Sequence, residues 1–129
     1  MTETDHHAVL KGRRVLIVED EPFIAMTLED MLTDLGCEIA GSVGQVQDAL
    51  SAIARGNIDA AVLDVNLGAQ KIDPVADELA RLRLPFVFTT GYGRAGIPAP
   101  HNACGVVQKP FRADELALAL SAELTRLSV

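Results

Sequence analysis

The sequence predicts an α/β domain in which a parallel sheet of five strands is doubly wound, with helices covering both faces. Three observations lead there. Short apolar runs rich in β-branched or aromatic residues recur along the chain, among them Val15-Leu16-Ile17-Val18 and Phe86-Val87-Phe88. Longer segments between them carry apolar residues at helical spacing. Several of the runs stop abruptly at polar groups, as strands do when they are buried on both faces and emerge at one edge of a sheet. Strands that alternate with helices call for right-handed crossovers and a parallel sheet.

Each element can be justified in turn. Val15 to Val18 ends at Glu19-Asp20-Glu21, and Pro22 suits the first turn of a helix. Phe23, Ile24, Met26, Leu28, Met31, Leu32 and Leu35 then repeat at helical spacing as far as Gly36, a plausible stop, and Met26 and Met31 read as part of the packed face. A second strand is expected over Cys37 to Val43. A helix from Gln45 to Arg55 places Val46, Ala49, Leu50 and Ile53 on one face and closes at Gly56 or Asn57. Ala60 to Leu63 is a third strand that ends on Asp64, and Asp73 to Arg83 a helix with Val75, Leu79 and Leu82 inward. Phe86 to Thr89 forms the fourth strand, entered through Pro85, and Gly105 to Val107 the fifth. Arg112 to Leu127 closes the fold with Leu116, Leu120, Leu124 and Leu127 on one side. The stretch 94–104 breaks this rhythm, because Gly96, Pro98 and Pro100 stand where a fourth helix belongs. That fourth helix is expected to be short or irregular.

At 129 residues, 49% of them hydrophobic, the chain suits one compact domain. Residues 1–12 read as a flexible N-terminal tail and 13–129 as the domain, with no output domain attached. The formal charge of −7 and the absence of a Lys/Arg stripe argue against a nucleic-acid partner. Mean hydropathy is +0.23, yet no apolar run approaches the roughly 20 residues of a membrane span. The N-terminus has no basic start followed by an apolar stretch, so the cytoplasm is the expected location. Cys37 and Cys104 form no metal-binding spacing and read as reduced, buried thiols; His6, His7 and His101 read as solvated loop histidines.

The chemistry is expected where the strands end, since ligands of such sheets bind outside the carboxyl edge. Glu19, Asp20 and Asp64 would converge there. Two ionised carboxylates about 4 Å apart repel by roughly 4 kcal/mol at an effective dielectric near 20, so the cluster must hold protons or a cation. Oxygen ligands without His or Cys favour Mg²⁺, or Mn²⁺ in its place. Thr90 adds a hydroxyl, Lys109 a point charge, and Asn66 a backbone carbonyl for the same ion. A carboxylate, a metal, a hydroxyl and an ammonium make a phosphoryl-transfer site. Asp64, which closes the central strand, is the best nucleophile.

The segments RVLIVEDEP, AAVLDVNL, FVFTTG and GVVQKPF, in this order over almost the whole chain, resemble the response-regulator receiver family. That resemblance implies a flavodoxin-like (βα)5 fold and makes Asp64 the phosphoacceptor, Asp20 a direct metal ligand and Glu19 a ligand through water. Thr90 and Lys109 would bind phosphoryl oxygens. PFVFTTGYG from Pro85 to Gly93 further resembles the "FAT GUY" subgroup of single-domain receivers, associated with bacterial stress-response phosphorelays, with Thr89 in place of its usual alanine. The family's aromatic switch position holds Val106, and Tyr92 is the candidate substitute.

The expected function is that of a phosphorelay switch, shuttle or phosphate sink, served by a sensor histidine kinase or a histidine phosphotransfer protein. Such a protein is no enzyme beyond its own phosphorylation and dephosphorylation, and it would work as a monomer or weak dimer, with order and disorder of residues 93–104 as the readout. The alternative is a phosphorylation-independent module that binds and regulates a histidine kinase. A phosphatase of the aspartyl-phosphate kind is disfavoured, because Asn66 stands where a second acid would be needed.

Overall fold

A computed structural model of the chain describes residues 8–91, 97–101 and 104–127. Strands β1 (Arg14–Val18), β2 (Glu38–Val43), β3 (Ala60–Asp64), β6 (Phe86–Thr90) and β7 (Gly105–Gln108) form one sheet in the order β2-β1-β3-β6-β7, with every pairing parallel. Helices α1 (Pro22–Asp34), α2 (Val46–Arg55), α3 (Asp73–Arg81) and α4 (Ala113–Leu127) connect and cover it. This is the doubly wound, flavodoxin-like arrangement that the alternating pattern predicts. The two-residue strands β4 (Asn66–Leu67) and β5 (Gln70–Lys71) were not expected; they pair as a small antiparallel hairpin directly after β3, turning through Gly68 at φ +62°.

Strand side chains alternate between the faces, and two cores result. On one face Val15, Ile17, Ala60, Val62, Val87 and Val107 pack against Leu28 and Leu32 of α1 and Leu116, Leu120 and Leu124 of α4. On the other, Leu16, Val18, Ala61, Leu63, Phe86 and Phe88 meet Ala49 and Ile53 of α2 and Val75 and Leu79 of α3. The leucine stripe of α4 is thus spent on the core as far as Leu124, not presented to a second copy.

Several expectations need correction. Residues 8–12 do not belong to a tail. Leu10 is fully buried against the α1 and α4 face, and Gly12 donates its N–H to the Gly36 carbonyl at 2.8 Å, so this stretch closes one end of the core; residues 1–7 lie outside the described residues. Helix α1 turns Ala25, Leu28 and Leu32 inward and leaves Phe23 78% and Met26 57% exposed, because two of its apolar positions fall outside the arc that faces the sheet. Leu82 is the C-cap of α3 and stands 41% exposed, not inward. Where the fourth crossover helix would lie, the described residues hold one 3-10 turn, Ala99–His101. His101 there is buried, with its Nε2 2.7 Å from Asp77 Oδ1 on α3 and its ring edge-on to Phe86. A solvated histidine was expected; an aromatic floor and a carboxylate partner keep this one inside.

Candidate functional site

Three strands of the sheet, β1, β3 and β7, deliver the charged groups of the site. Asp64 is the last residue of β3, Glu19 directly follows β1, and their register places both at one level on the α1/α4 face. Each is buried, while Asp20, one residue on, is exposed at the rim. One carboxylate oxygen from each of Glu19, Asp20 and Asp64 lies within 4.8 Å of the others. The acids expected to converge do converge.

Lys109 completes the group. Its Nζ stands 3.3 Å from Glu19 Oε1 and 3.3 Å from Asp64 Oδ2. Asn66 donates its backbone N–H to Asp64 Oδ1 at 3.0 Å, and Glu21 donates its own to Glu19 Oε2 at 3.1 Å. Glu19 Oε1, although near the ammonium, has no directed hydrogen bond among the described residues and is fully buried. Burial pushes the Glu19 carboxyl up to about 7, and a hydrogen bond shared with the Asp64 carboxylate adds to this; the Glu21 N–H and the Lys109 ammonium pull it back by less.

This geometry fits a hard divalent cation. An orphaned, buried carboxylate oxygen, two further acids beside it and an all-oxygen donor set are what Mg²⁺ or Mn²⁺ requires. Gly68 lets the hairpin turn beside the cluster through its positive φ of +62°, and a Cβ there would make only an ordinary contact of 3.6 Å with Asp20 Oδ2.

The remaining expected residues fall in different places. Thr90 is buried at the end of β6, and its carbonyl accepts the Lys109 N–H at 2.8 Å, which ties the two strand ends together. Val106 pairs with Phe88 across β6 and β7 and packs half-buried on the α2/α3 core. Tyr92 lies outside the described residues. Sequence reasoning gave no role to Thr89, which is fully buried beside Asp64 in register and whose Oγ1 has no hydrogen-bond partner among the described residues. Strand alternation was the available signal: if Asp64 faces the site, its register partner on β6 does too.

Fold and site together define the class: a doubly wound α/β domain that gathers an acid cluster and one lysine at the carboxyl edge of its sheet. Comparison with known proteins makes this particular. The chain belongs to the response regulator receiver domain family, whose match covers residues 15–121. Among curated proteins it is 31% identical over 118 residues to the transcriptional regulatory protein PdtaR of Mycobacterium tuberculosis, covering 88% of this chain and 58% of PdtaR. It therefore spans little more than half of that relative. The solution structure of SdrG from Sphingomonas melonis Fr1 superposes with a TM-score of 0.79 at 44% identity over 97% of this chain and 99% of SdrG. The receiver domain of PhyR from Erythrobacter litoralis gives 0.74 at 32% identity over 90% and 92% of the two chains. PhyR is described as a stress response regulator.

Among the described residues no helix is long and apolar enough to cross a membrane.

Proposed function

We propose that this receiver works as a stand-alone phosphorelay component that accepts a phosphoryl group on Asp64 from a histidine-bearing partner, a sensor kinase or a phosphotransfer protein. The carrying observation is the buried Glu19 and Asp64 pair bridged by one ammonium: two acids crowded at a sheet edge, held by a cation that an incoming phosphate would also need. In transfer, an Asp64 carboxylate oxygen attacks phosphorus in line with the phosphohistidine nitrogen. The O–P bond forms, the P–N bond breaks, and its electron pair returns to the imidazole. Asn66 holds one Asp64 oxygen through its N–H and so fixes the carboxylate plane. Lys109 stands ready to balance the phosphoryl charge, and Thr90 supplies the second contact to its oxygens. A divalent cation on Glu19, Asp20, Asp64 and the Asn66 carbonyl would supply further positive charge to the phosphoryl oxygens.

The surface beside the site suits a helical partner. Ile24 and Thr27 of α1 line a cleft of about 480 Å³ with Lys109, Pro110 and Phe111, and the exposed Phe23 and Met26 lie on the same helix. Lys109 thus belongs to both cleft and acid cluster, and a histidine presented there would reach Asp64. The solved BeF3-activated conformation of SdrG, 48% identical over 86% of this chain, supports an acceptor role. Relatives that include PhyR support a place in stress signalling.

The test is incubation with acetyl phosphate and Mg²⁺, comparing wild type with Asp64→Ala by intact mass. A phosphoadduct on wild type alone is expected. An adduct on both would move the nucleophile elsewhere, and none on wild type would remove the acceptor role.

A further inference from the structure

The fully buried Thr89 Oγ1 takes no part in holding Asp64, Glu19 or Lys109. Thr89 pairs with Asp64 on one side and with Val107 on the other. The alternation that puts Val87 and Val107 on the α1/α4 face puts Thr89 there as well, so Glu19, Asp64, Thr89 and Val107 form one row across four adjacent strands. Lys109 follows Val107 by two residues, yet its Nζ ends on Asp64 and Glu19. To get from the β7 side to β3 and β1 it must cross β6, a span of about 10 Å at the usual strand spacing, and the residue of β6 in that row is Thr89. The Lys109 side chain therefore crosses the strand position of Thr89, whose hydroxyl has no partner among the described residues.

A buried hydroxyl without a partner costs free energy, and valine would fill the same volume without that cost. We propose that Thr89 is a positioning residue for Lys109: its Oγ1 accepts an ammonium hydrogen once a phosphoryl group on Asp64 draws Nζ away from Glu19. In the unphosphorylated protein the ammonium faces two carboxylates and leaves Thr89 unpaired. New phosphoryl oxygens above Asp64 compete with Glu19 for Nζ, and as the ammonium leaves Glu19 one of its N–H groups turns to donate to the Thr89 hydroxyl. The lysine is then held over the acyl phosphate from below. This inference rests on Asp64 as the acceptor.

The experiment uses the full chain as wild type, Thr89→Ser, Thr89→Ala and Thr89→Val. Adduct formation with acetyl phosphate and Mg²⁺ is followed by intact mass, and affinity for beryllium fluoride, a phosphoryl mimic, by the shift in thermal midpoint. Wild type and the serine variant should agree within about twofold, while alanine and valine lose about tenfold in both rate and affinity, as expected for one hydrogen bond to a charged group. The valine variant should nonetheless melt no lower than wild type. Serine and alanine differ only by the hydroxyl, so their contrast stands even if valine packs badly. Equal behaviour of serine and alanine overturns the proposal. A wild type that neither forms an adduct nor responds to beryllium fluoride overturns instead the acceptor reading of Asp64.

Discussion

The two faces of the sheet are finished differently. On the α1/α4 face the apolar strand positions give way, at the carboxyl edge, to Glu19, Asp64 and Thr89, with Lys109 across them, and two oxygens there are buried without hydrogen-bond partners among the described residues. On the α2/α3 face β6 presents Phe86 and Phe88, which carry the His101 ring, and His101 is tied to α3 through Asp77. The first face is electrostatically unfinished and the second is mechanically closed. Strand alternation thus lets one sheet keep its chemistry and its structural ties on opposite sides, one residue apart in sequence. Thr90 follows Thr89 at the strand end where the two meet.

If the acid row is held chiefly by Lys109, then Lys109→Met should have the largest effect. It should destabilise the cation-free protein by about 2–3 kcal/mol at pH 8, because removing one partner leaves buried charge uncompensated. Urea unfolding with and without Mg²⁺ checks this, and an unchanged midpoint would show that the acids are already neutral.

The pH dependence sharpens the same point. Glu19 is raised from its ordinary 4.5 to about 7, so between these values the folded state binds more protons than the unfolded one. Its contribution is full below about 4.5 and is lost as pH rises through about 7. Without divalent cation, the thermal midpoint of wild type should therefore fall from pH 5 to pH 8 by more than that of Glu19→Gln, and Mg²⁺ should stabilise more at pH 8 than at pH 6.

The closed face should answer to packing alone. His101→Ala removes the Asp77 pair and two ring contacts, with an expected loss of about 2 kcal/mol and little change in the rate of Asp64 phosphorylation by acetyl phosphate. A strongly altered rate would break the separation of the faces. Thr89→Val on the open face should do the reverse, gaining about 1 kcal/mol by removing an unsatisfied hydroxyl.

The smallest stability effect belongs to the rim. Phe23→Ala should stay within about 0.5 kcal/mol of wild type, since the side chain is largely exposed. Transfer from a phosphohistidine donor should nevertheless slow about tenfold while the acetyl phosphate reaction is unaffected; equal rates with both donors would take α1 out of the docking surface.

Much of this protein is legible in its sequence because local physics decides it. Runs such as Val15 to Val18, short and rich in β-branched residues, read as strands buried on both faces, and Gly36, at φ +95°, ends the approach to β2 where a glycine is needed. The edge rule for parallel sheets then calls for Glu19, Asp20, Asp64 and Lys109 to meet at one rim, as they do. Other features depended on distances between elements far apart in the chain. Periodicity marked Phe23, Met26 and Leu82 as apolar but could not say which arc of each helix meets the sheet. Leu10 looked like tail and His101 like loop, because neither belongs to a repeating pattern; the core end and the aromatic floor that receive them exist only after folding. Thr89 is the sharpest case. Its residue type and strand were plain, but the lysine that crosses its strand comes from the next strand over, and only register and side-chain reach decide that meeting.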